Sequence, residues 1–182
     1  MSEPNSLYVK IEIKKERLQE FLDGKPKEVV LDDDWTAWWD LHDMVSKPPL
    51  TDIQPYRLDT NRTLIDEFLK DTRMGAAQHY DDAPGTWYLI ILMFSENYLE
   101  ILPMLAWLKD LAQYQEKHQR GTALIYDFLW GDGSVMAQLD FSAQQANLTN
   151  ATRMSDIDAE VLNEANSALD TMLNDLQKRY NH

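Results

Sequence analysis

The stretch "DDDWTAWWDLHDMV", residues 32 to 45, gathers more chemically capable side chains than any other part of the chain. Asp32, Asp33 and Asp34 are followed by Trp35, Trp38 and Trp39, and then by His42 flanked by Asp40 and Asp43. Three chemistries are open to such a set. Carboxylates and an imidazole could hold a metal ion, a histidine beside a carboxylate could act as a general base, and acids bordering indoles could grip a basic protein. A hard cation needs several oxygens converging on one point, and the spacing here matches no EF-hand loop. Helix capping and a solvated face account for most of these acids, with Asp33 or Asp34 as the N-cap and the others against the positive end of the helix dipole. No metal and no cofactor is therefore expected.

A second candidate is "QHYDDAPG", where His79 precedes Asp81 and Asp82. A hydrolase would also need a nucleophile or a metal and an oxyanion donor, and neither G-x-S-x-G nor H-E-x-x-H occurs. Turn formation is the better account of these residues. Gly131-Asp132-Gly133 likewise reads as a hairpin turn, since the chain has neither G-x-x-x-x-G-K-[ST] nor G-x-G-x-x-G. Cysteine is absent, which removes disulfides, thiolate zinc sites and a cysteine nucleophile together. No catalytic residue is nominated, and the chain does not read as an enzyme; the rival reading is a small metal- or His/Asp-dependent enzyme built on His42, His79 and the Asp clusters.

Charge points the same way. Across 182 residues, 31 acids face 17 bases, a formal net charge of −14. Such a field repels phosphate backbones, so direct binding to nucleic acid or to an anionic membrane is disfavoured and a basic protein partner is favoured. The bias is uneven: residues 10 to 27 carry six bases, whereas residues 28 to 59 carry eight acids against Lys47 and Arg57. No run of eighteen apolar residues exists and the first residues lack an export pattern, which reads as a cytoplasmic protein.

These residues need elements to position them. In "LYVKIEIK" Leu7, Val9, Ile11 and Ile13 alternate with polar residues, as in a half-buried strand with one wet face. A short helix over 15 to 22 follows, then "EVVL" at 28 to 31 as a brief strand or an apolar anchor. Trp35, Trp38, Trp39, His42 and Val45 fall at i, i+3, i+4, i+7 and i+10, one face of a helix that "KPPL" ends. Indoles at that spacing usually build core, but the adjacency of Trp38 and Trp39 puts one at the edge of the face, where a partner could meet it. A third helix over 60 to 75 has Leu64, Ile65, Phe68 and Leu69 inward, and residues 76 to 85 read as a polar loop. "TWYLIILMF" (86 to 94) is continuously apolar, the best candidate for the middle of a sheet. A long helix from Ser95 or Asn97 to about Gln119 contains Pro103, which should kink it or mark its first turn. "TALIYDFLW" and "SVMAQLDF" form a hairpin, with Asp127 a carboxylate among apolar residues that needs partners. Residues 142 to 154 are a polar connection to a last helix, 155 to 180.

The order predicts one α+β domain over residues 1 to 182: a mostly antiparallel sheet with a split β-α-β-β-like core, helices mainly on one face, and a long C-terminal helix. Because the connection 142 to 154 is polar, that helix could also serve a partner, the reading of an adaptor or chaperone.

The acidic stretch 28 to 59 with "DDDWTAWWDLHD", and the core "GTWYLIILMF…LIYDFLWGDGSVMAQLDF", resemble the immunity proteins of bacterial polymorphic toxin systems. The resemblance implies an inhibitory binding protein that occludes the basic active-site cleft of a cognate toxin domain, acting as a monomer or weak homodimer. Its contact residues would be Asp32, Asp33, Asp34, Trp35, Trp38, Trp39, Asp40, Asp43, Asp81 and Asp82, the acids steering the toxin and the indoles holding it.

Overall fold

A computed structural model describes residues 2–181. The alternating stretch near the N-terminus becomes β1 (Asn5–Glu12), the strand around which the sheet is assembled. The others are β2 (Ala76–Asp81), β3 (Thr86–Ser95), β4 (Gly121–Tyr126), β5 (Val135–Ser142) and β6 (Gln145–Leu148), in the order β2-β3-β1-β4-β5-β6 with every pair antiparallel. Because β1 runs opposite to both β3 and β4, those two are parallel to each other with β1 between them. The helix α4 (Tyr98–Leu111) links them, which is the split unit expected from the sequence.

Four helices cover one face: α1 (Lys15–Asp23), α2 (Asp33–Asp40), α3 (Asn61–Lys70) and α4, packed through Phe21, Trp35, Leu64, Ile101 and Leu108 onto Val9, Leu89, Ile125 and Leu139. The fifth, α5 (Ala159–Tyr180), lies on the opposite face and buries Ala165, Leu169 and Met172 against Tyr8, Leu92, Leu124 and Tyr126. Its apolar stripe is thus used within the chain. β1 was expected to have one wet face; Tyr8 is instead 1% exposed, because α5 covers that side.

The expected single α+β domain, antiparallel sheet and long last helix are borne out, with several local corrections. The apolar strand β3 is interior but second from an edge, and β1 with β4 holds the middle. Residues 76 to 81 are a strand, not a loop: an edge strand of mixed polarity shows no alternation to read. The connection 142 to 154 contains β6, joined to β5 by a tight turn in which Ala143 and Gln144 adopt φ of 51° and 62°. That turn type normally announces itself through glycine or asparagine, and neither is present. Beyond β6 the chain stays attached to β5, Thr149 N–H donating to the Gln138 carbonyl and Val135 N–H to that of Thr152. "EVVL" forms no strand, and Val30 and Leu31 are 73% and 41% exposed. α4 stops at Leu111, well short of Gln119, and holds Pro103 inside it. α5 begins at Ala159, capped by the Asp158 carboxylate, which accepts from Glu160 and Val161 N–H.

One glycine lets α5 pack closely on the sheet. Gly75, entering β2, has φ of +64°, and a Cβ built there would stand 2.8 Å from Leu176 Cδ1 on α5 and 3.1 Å from Leu92 Cβ. Gly75→Ala combines a left-handed backbone with overpacking and should lower the unfolding free energy by about 1–3 kcal/mol. The denaturant midpoint measures it. An unchanged midpoint would mean that α5 yields freely at this contact.

Candidate functional site

The nominated residues on α2 divide into an internal half and an external half. Trp35, Trp38 and Trp39 are 0, 1 and 5% exposed. They are core, and the reading of all three as partner-contacting anchors is corrected by that burial. Trp38 is the hub of a ring cluster: its centroid lies 6.2 Å from Trp35, 5.6 Å from Trp39, 4.5 Å from His42 and 6.3 Å from Tyr98 at the start of α4. Burial pushes the Tyr98 hydroxyl up to about 12, so it stays a neutral phenol at physiological pH. Trp39 donates its indole N–H to the Pro48 carbonyl at 3.0 Å, and Lys47 lies 5.0 Å from its ring. The Lys47–Pro48 segment therefore closes over the indole that the sequence placed at the edge.

Asp34 and Asp32 are also engaged internally. Lys109 of α4, its side chain 9% exposed, contacts Asp34 at 2.8 Å and Asp32 at 3.4 Å. Lys109 further donates to the Ala146 carbonyl at 2.7 Å, and Asp34 Oδ2 accepts from Leu148 N–H at 2.7 Å. Ala146 and Leu148 belong to β6, the last strand of the sheet. The ion pair thus occupies backbone groups that an edge strand would otherwise present to another chain. Asp33 stays exposed, and with Asp32, Asp34, Lys109, Gln113 and Asn147 it lines an open polar cleft.

Asp81 and Asp82 do not join this cluster. They sit at the β2–β3 turn, on the edge opposite β6, about 24 Å away at the usual strand spacing. Asp82 makes a long 3.5 Å contact with Lys15. His79 is on β2, while His42 packs on Tyr98, whose hydroxyl reaches Met136 of β5. The two histidines are therefore on different sides of the sheet. Among the described residues no three His, Asp or Glu side chains converge as metal ligands, and no helix is long and apolar enough to cross a membrane. Asp127, 5% exposed, organises its loop by accepting from the N–H groups of Trp130 and Asp132, which answers its need for partners.

The external half begins where α2 ends, earlier than the periodicity suggested. Leu41 N–H bonds the Trp38 carbonyl, and His42 donates through Nδ1 to the same oxygen at 2.9 Å; the carbonyl fixes the tautomer, since it can only accept. Lys47 Nζ lies 2.5 Å from the Trp39 carbonyl. With the last carbonyls satisfied by side chains, the chain turns away, and Ser46 takes φ of 59°. Val45, expected inward on the indole face, is 96% exposed.

This turn lies beside the start of α4, with Met44, Ser46 and Pro48 facing Glu96, Tyr98 and Leu99 across a shallow pocket. Leu41 and Leu99 are 53% and 65% exposed. Around these apolar groups stand Asp40, Asp43, Glu96 and Glu100, none in a salt bridge among the described residues. Leu99, Glu96 and Glu100 escaped the sequence reading. The available signal was that Leu99 lies off the α4 stripe of Tyr98, Ile101, Leu102 and Leu105, so the fold gives it no inward place.

No protein-family model matches the chain, and neither the curated proteins nor the solved structures include a significant match.

Proposed function

We propose that the chain is an acidic, non-catalytic binding protein that neutralises a basic protein partner by covering its active cleft, in the manner of a toxin's immunity protein. The observation that carries this reading is the corner between α2 and α4, where a shallow pocket bordered by Met44, Ser46, Glu96 and Leu99 adjoins the turn that exposes Leu41 and Val45 beside Asp40 and Asp43 in the chain. Apolar groups held in water at a strained turn do little for the fold, and contiguous ones mark interaction sites. The carboxylates around them have no ion pair among the described residues, Glu96 and Glu100 accepting only neutral hydrogen bonds from Glu3 N–H and the Ser95 hydroxyl, and so steer a basic partner and select against an acidic one. Relative to the sequence reading, the docking surface moves from the start of α2 to its end: Asp40 and Asp43 remain in it, and the three indoles support it from below.

The test is to co-express the chain with the product of each reading frame adjacent to its gene, asking whether one is toxic alone and tolerated with the chain, together with purified binding kinetics. The chain should protect the cell, and its association rate should fall steeply with salt. Asp40→Lys with Asp43→Lys should slow association by about tenfold and flatten that dependence. Val45→Asp should speed dissociation by about tenfold or more while leaving the melting temperature unchanged, since the side chain is 96% exposed. A chain that neither binds nor protects, or variants that bind like the parent, would overturn the reading.

A further inference from the structure

The two edges of the sheet are treated differently, and the difference is informative. β6 has its outward groups occupied, Leu148 N–H by Asp34 and the Ala146 carbonyl by Lys109. β2 has no such cover. It pairs only with β3, and among the described residues no group outside β3 bonds the backbone of residues 76 to 80. Every second residue of such a strand turns its N–H and C=O to solvent, and chains usually blunt the edge with lysine, proline or a bulge. "AAQHY" has none of these, and Gln78 and His79 at its centre are exposed.

We infer that two copies of this chain pair antiparallel along β2, joining two six-stranded sheets into one. What selects a second copy over a foreign strand is the charge along this edge. Asp82 stands beyond one end of β2 with its side chain 77% exposed and only a 3.5 Å contact with Lys15. Arg73 precedes the other end, 86% exposed, its Nε and Nη2 on Asp71 at 3.1 Å and its Nη1 turned to no acceptor among the described residues. A two-fold pairing centred on Gln78 sets Ala76 against the copy's Tyr80 and brings Arg73 beside the copy's Asp82, twice by symmetry. The edge is therefore complementary to itself in charge as well as in hydrogen bonding. A net charge of −14 on each copy opposes the association, so the dimer is weak and concentration-dependent. This inference uses neither the α2–α4 corner nor the inhibitory reading.

Sedimentation of the full chain from micromolar to millimolar concentration tests it. The expected result is a reversible monomer–dimer equilibrium. Arg73→Glu alone and Asp82→Arg alone should each weaken it by about fivefold or more, and the double exchange should restore it, because the pair is re-formed with reversed sign. Both side chains are exposed; Arg73→Glu also gives up the surface pair with Asp71, a small loss that the melting temperature of the monomer reads separately from dimerisation. In a chain without cysteine, Gln78→Cys should cross-link into a dimer on oxidation, opposite residues of paired strands being within disulfide reach. A chain that stays monomeric at millimolar concentration, a dimer indifferent to both charge changes, or one abolished only by Val45→Asp would each overturn the proposal.

Discussion

Lys109→Ala lowers the unfolding free energy by about 3–5 kcal/mol, the usual cost of leaving half of a buried ion pair behind. The ammonium is 9% exposed and serves Asp34, Asp32 and the Ala146 carbonyl at once. Its removal strands a carboxylate whose own side chain is 20% exposed and frees an edge carbonyl of β6. Asp34→Ala should also destabilise, by somewhat less, since it leaves Lys109 only the longer contact with Asp32 and the Ala146 carbonyl, and takes the acceptor from Leu148 N–H. The informative variant is the double change Asp34→Leu with Lys109→Met. An ion pair that only held two charges could be exchanged for apolar groups at little cost. This pair also occupies the sheet edge, so the double variant should remain destabilised by about 1–3 kcal/mol, the penalty of unpaired backbone groups. Equilibrium denaturation measures all three, and a double variant as stable as the parent would show that β6 needs no such cover.

Trp38→Ala is expected to cost about 3–5 kcal/mol, a large share of the 5–15 kcal/mol that holds a domain of this kind together. The indole is 1% exposed and touches four other rings, so its loss opens a cavity under the α2–α4 corner. Trp38→Phe separates packing from polarity. The Trp38 indole N–H is buried without a hydrogen-bond partner, as is that of Trp35. Phenylalanine removes this unpaired donor while keeping a ring, so its penalty should be well under half that of alanine. Denaturant midpoints and near-ultraviolet circular dichroism check both. Equal losses for the two variants would mean that the cluster depends on the size of the indole alone.

Much of this was legible in local pattern. The alternation of Leu7, Val9 and Ile11, the apolar run 86 to 94 and the stripe Ala165, Leu169, Met172 each state how an element faces its surroundings, and each is buried accordingly. The split unit followed from the order of those elements. β2 and β6 were not legible. β2 is half wet on both faces, whereas β6 alternates wet and dry but over only four residues, after an Ala143-Gln144 turn that lacks glycine. The early end of α2 was hidden for another reason: its carbonyls are taken by the ring of His42 and by Lys47, side chains whose effect on the backbone appears only once the turn has formed.

Composition and spacing by themselves determined an acidic, cysteine-free α+β chain with an indole helix, because burial periodicity and net charge are properties of local sequence. Which carboxylates are free to meet another molecule was decided by tertiary structure alone. Lys109 lies 75 residues from Asp34 yet engages it, while Asp40 and Asp43, three residues apart, are left exposed. A charge is silenced by whatever the fold brings within a few ångströms of it, and no reading of its neighbours along the chain contains that distance.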